Sequence, residues 1–280
     1  MSTTAQPVRQ AAHAPRISGL FEKVRDPAQY PRQQAAVPPG VHRAGRYELR
    51  FARNEEDLRK VQRLRFEVFN LELAEGLADS YRSGLDHDEF DARCHHLMVI
   101  EQQSGAVVGT YRVMTAELAT REELYSSSEF DLSSLPEHVL RDGAEVGRAC
   151  VAEAHRNGRV LQLLWRGIAR YLDWNDKRYV FGCCSLPTLD PQHIVGVSQH
   201  LFREGALHTR FRAAVRQAHA PCVIEHYAAP EVAALPPLFS SYLKLGAKVC
   251  GGPALDAEFG VTDYLVLLDL RDVQPRVLAS

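Results

Sequence analysis

The sequence predicts an α/β fold in which a mixed central β-sheet is flanked by helices, and two observations predict it. Two strands joined by a Ser-Gly turn are indicated by HHLMVIEQQSGAVVGTYRVMT. A strand, a helix and a strand then follow in AEVGRACV, HRNGRVLQLLWRGIARYLDWN and RYVFGCCSL. An antiparallel hairpin followed by a strand–helix–strand unit gives a mixed sheet that helices cover.

Composition divides the 280 residues into a leader and one domain. Residues 1–45 are rich in Pro, Gln, Ala and Arg without a sustained period, and we expect a largely disordered leader with one short helical turn near Leu20–Val24. Residues 1–46 carry seven Lys or Arg and two acids, although the whole chain has a net charge of −2. A domain over residues 46–271 is expected to follow.

Within this domain, order is expected to begin at the strand YELRFA. The helix NEEDLRKVQRLRFEVFN comes next, where Asn54 can cap the first turn. After Pro187 we expect a polar helix through about Arg216, a strand over CVIEHY, a helix over PPLFSSYLKLG and two terminal strands.

Composition and cysteine use also limit the class of protein. The chain is 45% hydrophobic and 24% charged, as is usual for a globular protein, and no apolar run is long enough to cross a bilayer. The six cysteines form no C-x-x-C pair, so we expect reduced, buried thiols of a cytoplasmic protein and no metal site.

An acidic cluster stands directly before a predicted strand in GLDHDEFDARCHHLMVI. Asp86, Asp88 and Asp91 would repel one another unless a cation partners them. Arg112 and Arg148 lie in predicted strands, where an unpaired charge is costly. We therefore predict that these arginines pair with carboxylates, either those of the aspartates or that of a substrate.

Four ordered motifs, RFEVF, DHDEFD, GTYRVMT and EVGRACV, resemble those of the acyl-homoserine-lactone synthases, although Asp86 replaces a glutamate and Gly147 stands at the usual serine. Further motifs resemble more closely a sister group, the hemolysin-like ornithine-lipid N-acyltransferases; they include EFDL, LLWRGIARYL, FGCCSLP and LPPLFSSYLKLGAKVCGG. The resemblance covers roughly residues 46–271 and implies a GNAT-type acyltransferase fold.

This resemblance implies an enzyme that moves a (3-hydroxy)fatty acyl group from acyl carrier protein to the α-amine of an amino acid, L-ornithine above all, in ornithine-lipid biosynthesis. No cofactor is expected beyond the 4′-phosphopantetheine that the carrier protein supplies. We expect a cytoplasmic protein without nucleic-acid partners, and peripheral contact with the inner membrane surface is left open.

The resemblance also implies roles for individual residues. Glu145 is expected to act as general base or to orient the amine, beside Arg112 and Arg148. The acceptor amino acid would be bound by residues of the early motifs, namely Arg65, Phe69, Asp86, Asp88 and Asp91. The phosphopantetheine arm would lie between the strands GRACV and FGCCS. The residues predicted to contact this arm or to form the docking surface for the carrier protein are Cys150, Val151, Arg156, Gly158, Arg159, Ser185, Arg210 and Arg212.

Two other functions remain open from the sequence. The first is an acyl-homoserine-lactone or other N-acyl amino acid signal synthase, which shares the four early motifs but usually carries a Trp soon after R-x-x-V-F, where this chain has NLEL. The second is a non-catalytic protein that binds acyl carrier protein.

Overall fold

The computed structural model describes residues 30–74, 76, 78–221 and 235–273. Within these ranges the strands are β1 (His42–Ala44), β2 (Tyr47–Phe51), β3 (His95–Glu101), β4 (Val107–Thr115), β5 (Phe130–Asp131), β6 (Gly143–Val151), β7 (Tyr179–Leu186), β8 (Ala214–Val215), β9 (Lys248–Val249), β10 (Ala254–Asp256) and β11 (Val261–Asp269). The helices are α1 (Glu55–Arg65), α2 (Ser80–Ser83), α3 (Glu137–Arg141), α4 (Arg159–Trp174), α5 (Pro191–Arg203) and α6 (Pro237–Lys244).

The main sheet is mixed, as the sequence predicts. Its strand order is β1-β2-β3-β4-β6-β7-β11-β10, and β9 also pairs with β11. The strand pairs are antiparallel except for β6 and β7, which run parallel. Strands β5 and β8 form a separate two-stranded sheet.

Strands β6 and β7 separate partway along their length. They pair from Gly143 with Tyr179 to Glu145 with Phe181, but β6 continues to Val151 and β7 to Leu186. The two strands therefore diverge, and a gap opens in the middle of the sheet. The resemblance to the GNAT-type fold implies such a separation between GRACV and FGCCS.

Helices and loops cover the two faces of the sheet. On one face, here called the α4 face, α4 contacts β2, β3 and β4, and its buried residues pack in one core with residues of α5 and α6. Gly167 allows a close approach, because a Cβ atom there would lie 2.4 Å from Leu97 Cδ2. On the opposite face, the α1 face, α1 contacts β3, β4 and β6, and segment 116–142 packs on β7 and β11.

The described residues include secondary structure before residue 46, inside the predicted leader. A 3-10 turn forms at Gln34–Ala36, and the carbonyl oxygen of Ala36 accepts a 2.9 Å hydrogen bond from Asn175 Nδ2 at the end of α4. Strand β1 also precedes the predicted boundary. The helical turn predicted near Leu20–Val24 lies outside the described residues.

The predicted helix through Arg216 is wrong beyond Arg203. Helix α5 ends there, Gly205 takes the left-handed conformation with φ +60, and the Ala206 N–H closes the turn on the Leu201 carbonyl at 2.9 Å. Glycine is favoured at such a C-terminal position, and its presence outweighed the helix-forming residues after it. The strand predicted over CVIEHY, residues 222–227, falls outside the described ranges.

Of the cysteines that the structure describes, Cys94, Cys150, Cys184 and Cys250 are free and buried, as predicted, and Cys183 is free and half-buried. Within the same ranges, every helix is too short or too polar to cross a membrane.

Candidate active site

A cavity of about 230 Å³ occupies the gap between β6 and β7. On the α4 face its wall is largely apolar and includes Tyr111, Trp165, Leu238, Phe239 and Tyr242. On the α1 face its wall is polar and includes Arg112, Tyr125, Glu145, Arg148, Ser185 and Asp263. The cavity thus joins an apolar and a charged compartment across the sheet.

Arg148 reaches the polar wall because β6 carries a bulge. The register between β4 and β6 shifts so that Arg148 is an extra residue on β6, and its φ is +47. A bulge of this kind redirects a side chain out of the normal alternation. The Arg148 guanidinium lies 4.3 Å from the centre of the Phe69 ring, which also lines the cavity.

A buried network of ion pairs connects Arg148 to α1. Arg65, on α1, donates from Nε to Asp86 at 2.7 Å and from Nη1 to Asp91 at 2.7 Å, and Arg148 also donates to Asp86. Arg112 donates to Asp88 at 2.6 Å and to Asp91 at 3.1 Å. The predicted pairing of the aspartates with Arg112 and Arg148 is confirmed, and Arg65 is a third partner.

Three guanidinium groups therefore balance three carboxylates. Burial alone would raise the pKa of Asp91, but Arg65 and Arg112 hold that pKa well below its usual range. Burial lowers the pKa of His96, which also contacts Asp91, to about 4, so the imidazole is neutral at physiological pH. Asp86 is 0% and Asp91 2% exposed, and neither lines the cavity. Contact of these two carboxylates with an acceptor stays a prediction.

Glu145 lies on the cavity wall where β6 and β7 begin to separate. Its Oε2 accepts a 2.8 Å hydrogen bond from the Tyr125 N–H, and its Oε1 accepts one of 2.7 Å from the Ser126 N–H. Burial raises the pKa of Glu145, and these hydrogen bonds offset part of the effect. A carboxylate with a raised pKa at a cavity wall is suited to accept a proton.

The predicted contacts of the carrier arm lie toward the C-terminal end of β6. Arg156 donates to the Val151 carbonyl at 3.0 Å and pairs with Glu72. Gly158 precedes α4 with φ +84, and Arg159 is its first, exposed residue. These residues surround the first turn of α4, and the N-terminus of a helix favours an anion.

Two other residues predicted for the arm differ in environment. Cys150 is buried with Leu64 and Val68, away from the cavity wall. Ser185 lines the cavity and donates a 2.6 Å hydrogen bond to Asp263.

Arg210 and Arg212 lie toward the other end of the strands. Phe211, between them, packs on His138, which in turn packs on Tyr179, the first residue of β7. Arg156 and Arg159 instead follow the end of β6. The contacts therefore place Arg156 and Arg159 at the start of α4, and Arg210 and Arg212 beside the residue that packs near the start of β7.

A second acidic cluster was not predicted to be part of the site. Glu129, Asp256 and Asp263 each place a carboxylate oxygen within 4.8 Å of the other two, and all three side chains are buried. Burial, and next the charge of Asp263, raises the pKa of Glu129 to about 9, whereas burial raises that of Asp263 to about 6. One signal existed in the sequence, because Asp263 stands directly before the apolar run YLVLL, inside the predicted strand TDYLVLLDL.

This cluster predicts how stability changes with pH. Both pKa values lie above the usual values near 4 of an unfolded chain, so the folded state holds the extra protons. The stabilisation is complete below about pH 4 and is lost as the pH rises through about 6 and then about 9. The groups that face the cluster are Tyr125, Cys183, Ser185 and His219.

Urea unfolding between pH 5 and pH 9 checks this effect. In the Glu129→Gln variant, the loss of stability with rising pH is expected to be smaller than in the wild type by more than about 1 kcal/mol. Identical slopes for the two proteins would contradict the raised pKa of Glu129.

Comparisons with known proteins agree with this architecture. Residues 64–166 match the family model of the acetyltransferase (GNAT) domain, which confirms the predicted fold. The chain is 31% identical over 257 residues to an L-ornithine N(alpha)-acyltransferase of Agrobacterium fabrum, covering 85% of each protein. It is 32% identical over 267 residues to one of Rhizobium meliloti, covering 89% of each. Among solved structures, the CoA-dependent acyl-homoserine lactone synthase BjaI with MTA has a TM-score of 0.47, at 15% identity over 80% of each chain.

Proposed function

Because the chain belongs to the family of the L-ornithine N(alpha)-acyltransferases, we propose that its cavity transfers a fatty acyl group from a thioester to the α-amine of L-ornithine. Its acyltransferase activity follows from the family and the GNAT domain. The proposal for the two substrates rests on the cavity, because the cavity joins an apolar compartment to a polar one that contains Glu145 and Arg148. A fatty acyl chain and an amino acid require these two environments.

Glu145 takes the proton in the proposed reaction. The amine nitrogen attacks the thioester carbonyl, so a C–N bond forms and the C–S bond breaks. The proton lost by the amine passes to Glu145, and the thiolate that leaves is reprotonated to the free thiol. The raised pKa of Glu145 brings it closer to the value that such a transfer needs.

Arg148 binds the carboxylate of the acceptor in this proposal. Its Nη2 already contacts Asp86, but its buried Nε has no acceptor within the described part of the chain. A buried N–H without a partner costs free energy, and a substrate oxygen would supply the missing hydrogen bond. The stacking on Phe69 holds the guanidinium in place for it.

The acyl donor in our proposal is acyl carrier protein, with its phosphopantetheine arm in the gap between β6 and β7. The first turn of α4 would bind the phosphate of the arm, and Arg159 would face the acidic carrier protein. We expect Arg159→Glu to raise KM for the acyl carrier protein about tenfold or more, because it reverses a charge at the docking surface. Steady-state kinetics at fixed acceptor concentration measure this.

The matched control is the charge reversal of Arg210 and Arg212, which flank Phe211 near the start of β7. It is expected to change the same KM less. If this pair has the larger effect, docking occurs at their end of the sheet instead.

Lipid analysis of a host that makes no aminolipid tests the proposed function. Expression of the chain should give an N-acylornithine that mass spectrometry detects. A homoserine lactone in the extract would favour the signal-synthase alternative, and no new product would contradict the proposal in that host.

A further inference from the structure

The cluster of Glu129, Asp256 and Asp263 borders the polar wall of the cavity, which Asp263 itself lines. It differs from the aspartates near Arg112 in one respect. Among the residues that the structure describes, none of its three carboxylates forms an ion pair with Lys or Arg. A buried acidic group of this kind is costly unless it is protonated or binds a cation.

Glu129 gives independent evidence of an unfilled interaction. It is 1% exposed, and its Oε1 has no hydrogen-bond partner in the described ranges. Buried polar atoms in folded proteins are nearly always hydrogen-bonded, so this unpaired carboxylate oxygen, in a cluster whose member Asp263 lines the cavity, indicates a missing donor.

The cluster is adjacent to both groups that would hold the reacting end of the acceptor. Glu129 lies on the same short segment as Tyr125 and Ser126, whose N–H groups bind Glu145. Phe259 lies between the cluster and Arg148, because its N–H bonds Asp256 at 3.1 Å and its ring lies 5.5 Å from the Arg148 guanidinium.

We infer that Glu129, Asp256 and Asp263 bind the side-chain ammonium group of the acceptor amino acid and so select a cationic acceptor. The inference rests on the proposed function, since it assigns the third charged group of an amino acid whose amine meets Glu145 and whose carboxylate meets Arg148. An ammonium group has three N–H donors, and the three carboxylates place oxygens within 4.8 Å of one another, close enough to share one ammonium group.

The test compares L-ornithine with L-norvaline, which has the same carbon chain but no side-chain amine. The purified full-length enzyme should prefer ornithine in kcat/KM. Asp263→Asn and Glu129→Gln should each lower the ratio of the two kcat/KM values at least about tenfold, the usual scale for a charged hydrogen bond. The loss should fall mainly on kcat/KM for ornithine, because only ornithine carries the side-chain ammonium group.

The matched control is Asp131→Asn, which changes an exposed acid on the same segment. This variant should keep the wild-type ratio. Thermal unfolding of each variant in the absence of substrate verifies that it is folded. If either Asp263→Asn or Glu129→Gln does not fold, the other variant still provides the test.

The outcomes are distinct. An unchanged ratio in both variants, or equal use of ornithine and norvaline by the wild type, overturns the inference and leaves the proposed function standing. One equivalent of a divalent metal in purified wild-type enzyme, lost in Asp263→Asn, shows that the cluster is a metal site and also overturns it. Acylation of neither amino acid overturns the proposed function, and the inference with it.

Discussion

Glu145→Gln is expected to lower kcat by about 10²-fold or more at neutral pH, the usual scale for the loss of a general base. The amide retains the size of the side chain and can still accept a hydrogen bond from one backbone N–H, so the fold should persist. What it cannot do is accept the proton that the amine loses. Steady-state kinetics with saturating donor and acceptor measure the change.

The pH profile separates a general base from a structural carboxylate. In the wild type, kcat/KM should fall on the acid side with a pKa above the usual range of glutamate, because burial raises the pKa of Glu145. That limb should vanish in Glu145→Gln and remain in Glu122→Gln, an exposed control on the neighbouring segment. If Glu145→Gln retains activity within a few-fold of the wild type, the base lies elsewhere.

Arg112→Ala is expected to reduce the free energy of unfolding by about 3–5 kcal/mol and to abolish activity. The side chain is 5% exposed, and its loss leaves the carboxylates of Asp88 and Asp91 without one of their cations. Urea denaturation at pH 7 gives the change in stability, and the activity is measured under conditions in which the variant is still folded.

Arg93→Ala provides the matched control for Arg112→Ala. Arg93 is 15% exposed and pairs with Glu123, which is 46% exposed, so the loss should cost clearly less than that of Arg112, about 1 kcal/mol. The double variant Arg112→Ala/Asp88→Ala should recover part of the stability that Arg112→Ala loses. Equal, small effects of Arg112→Ala and Arg93→Ala would show that the network does not depend on charge balance.

The fold was predictable where hydrophobic residues recur with the period of a helix or strand and a capping or turn residue marks the end of the element. The Asn54 side chain accepts the Asp57 N–H at 2.9 Å as expected for a helix cap, and the β3–β4 hairpin and α4 occupy their predicted positions. Strong local patterns of this kind need no tertiary information. The polar stretch after Arg203 has no such pattern, and there the prediction is wrong.

The site was predictable only in part, because it depends on register and on long-range packing. The pairing of Asp88 with Arg112 could be inferred, since both charges stand beside apolar strands. The bulge at Arg148 could not, because one extra residue on β6 has no signature in EVGRACV. Glu129 joins Asp256 and Asp263 only through the packing of segment 116–142 on β7 and β11.

The central claim is that the cavity joins an acyl group to the α-amine of a cationic amino acid. Its most direct measurement is tandem mass spectrometry of the product that the purified enzyme makes from 3-hydroxyacyl carrier protein and L-ornithine labelled with ¹⁵N at the α-amine. We predict a single acyl group on the labelled nitrogen, formed by the wild type and nearly absent with Glu145→Gln. An acyl group on the unlabelled side-chain nitrogen, or no acylornithine, would contradict the account.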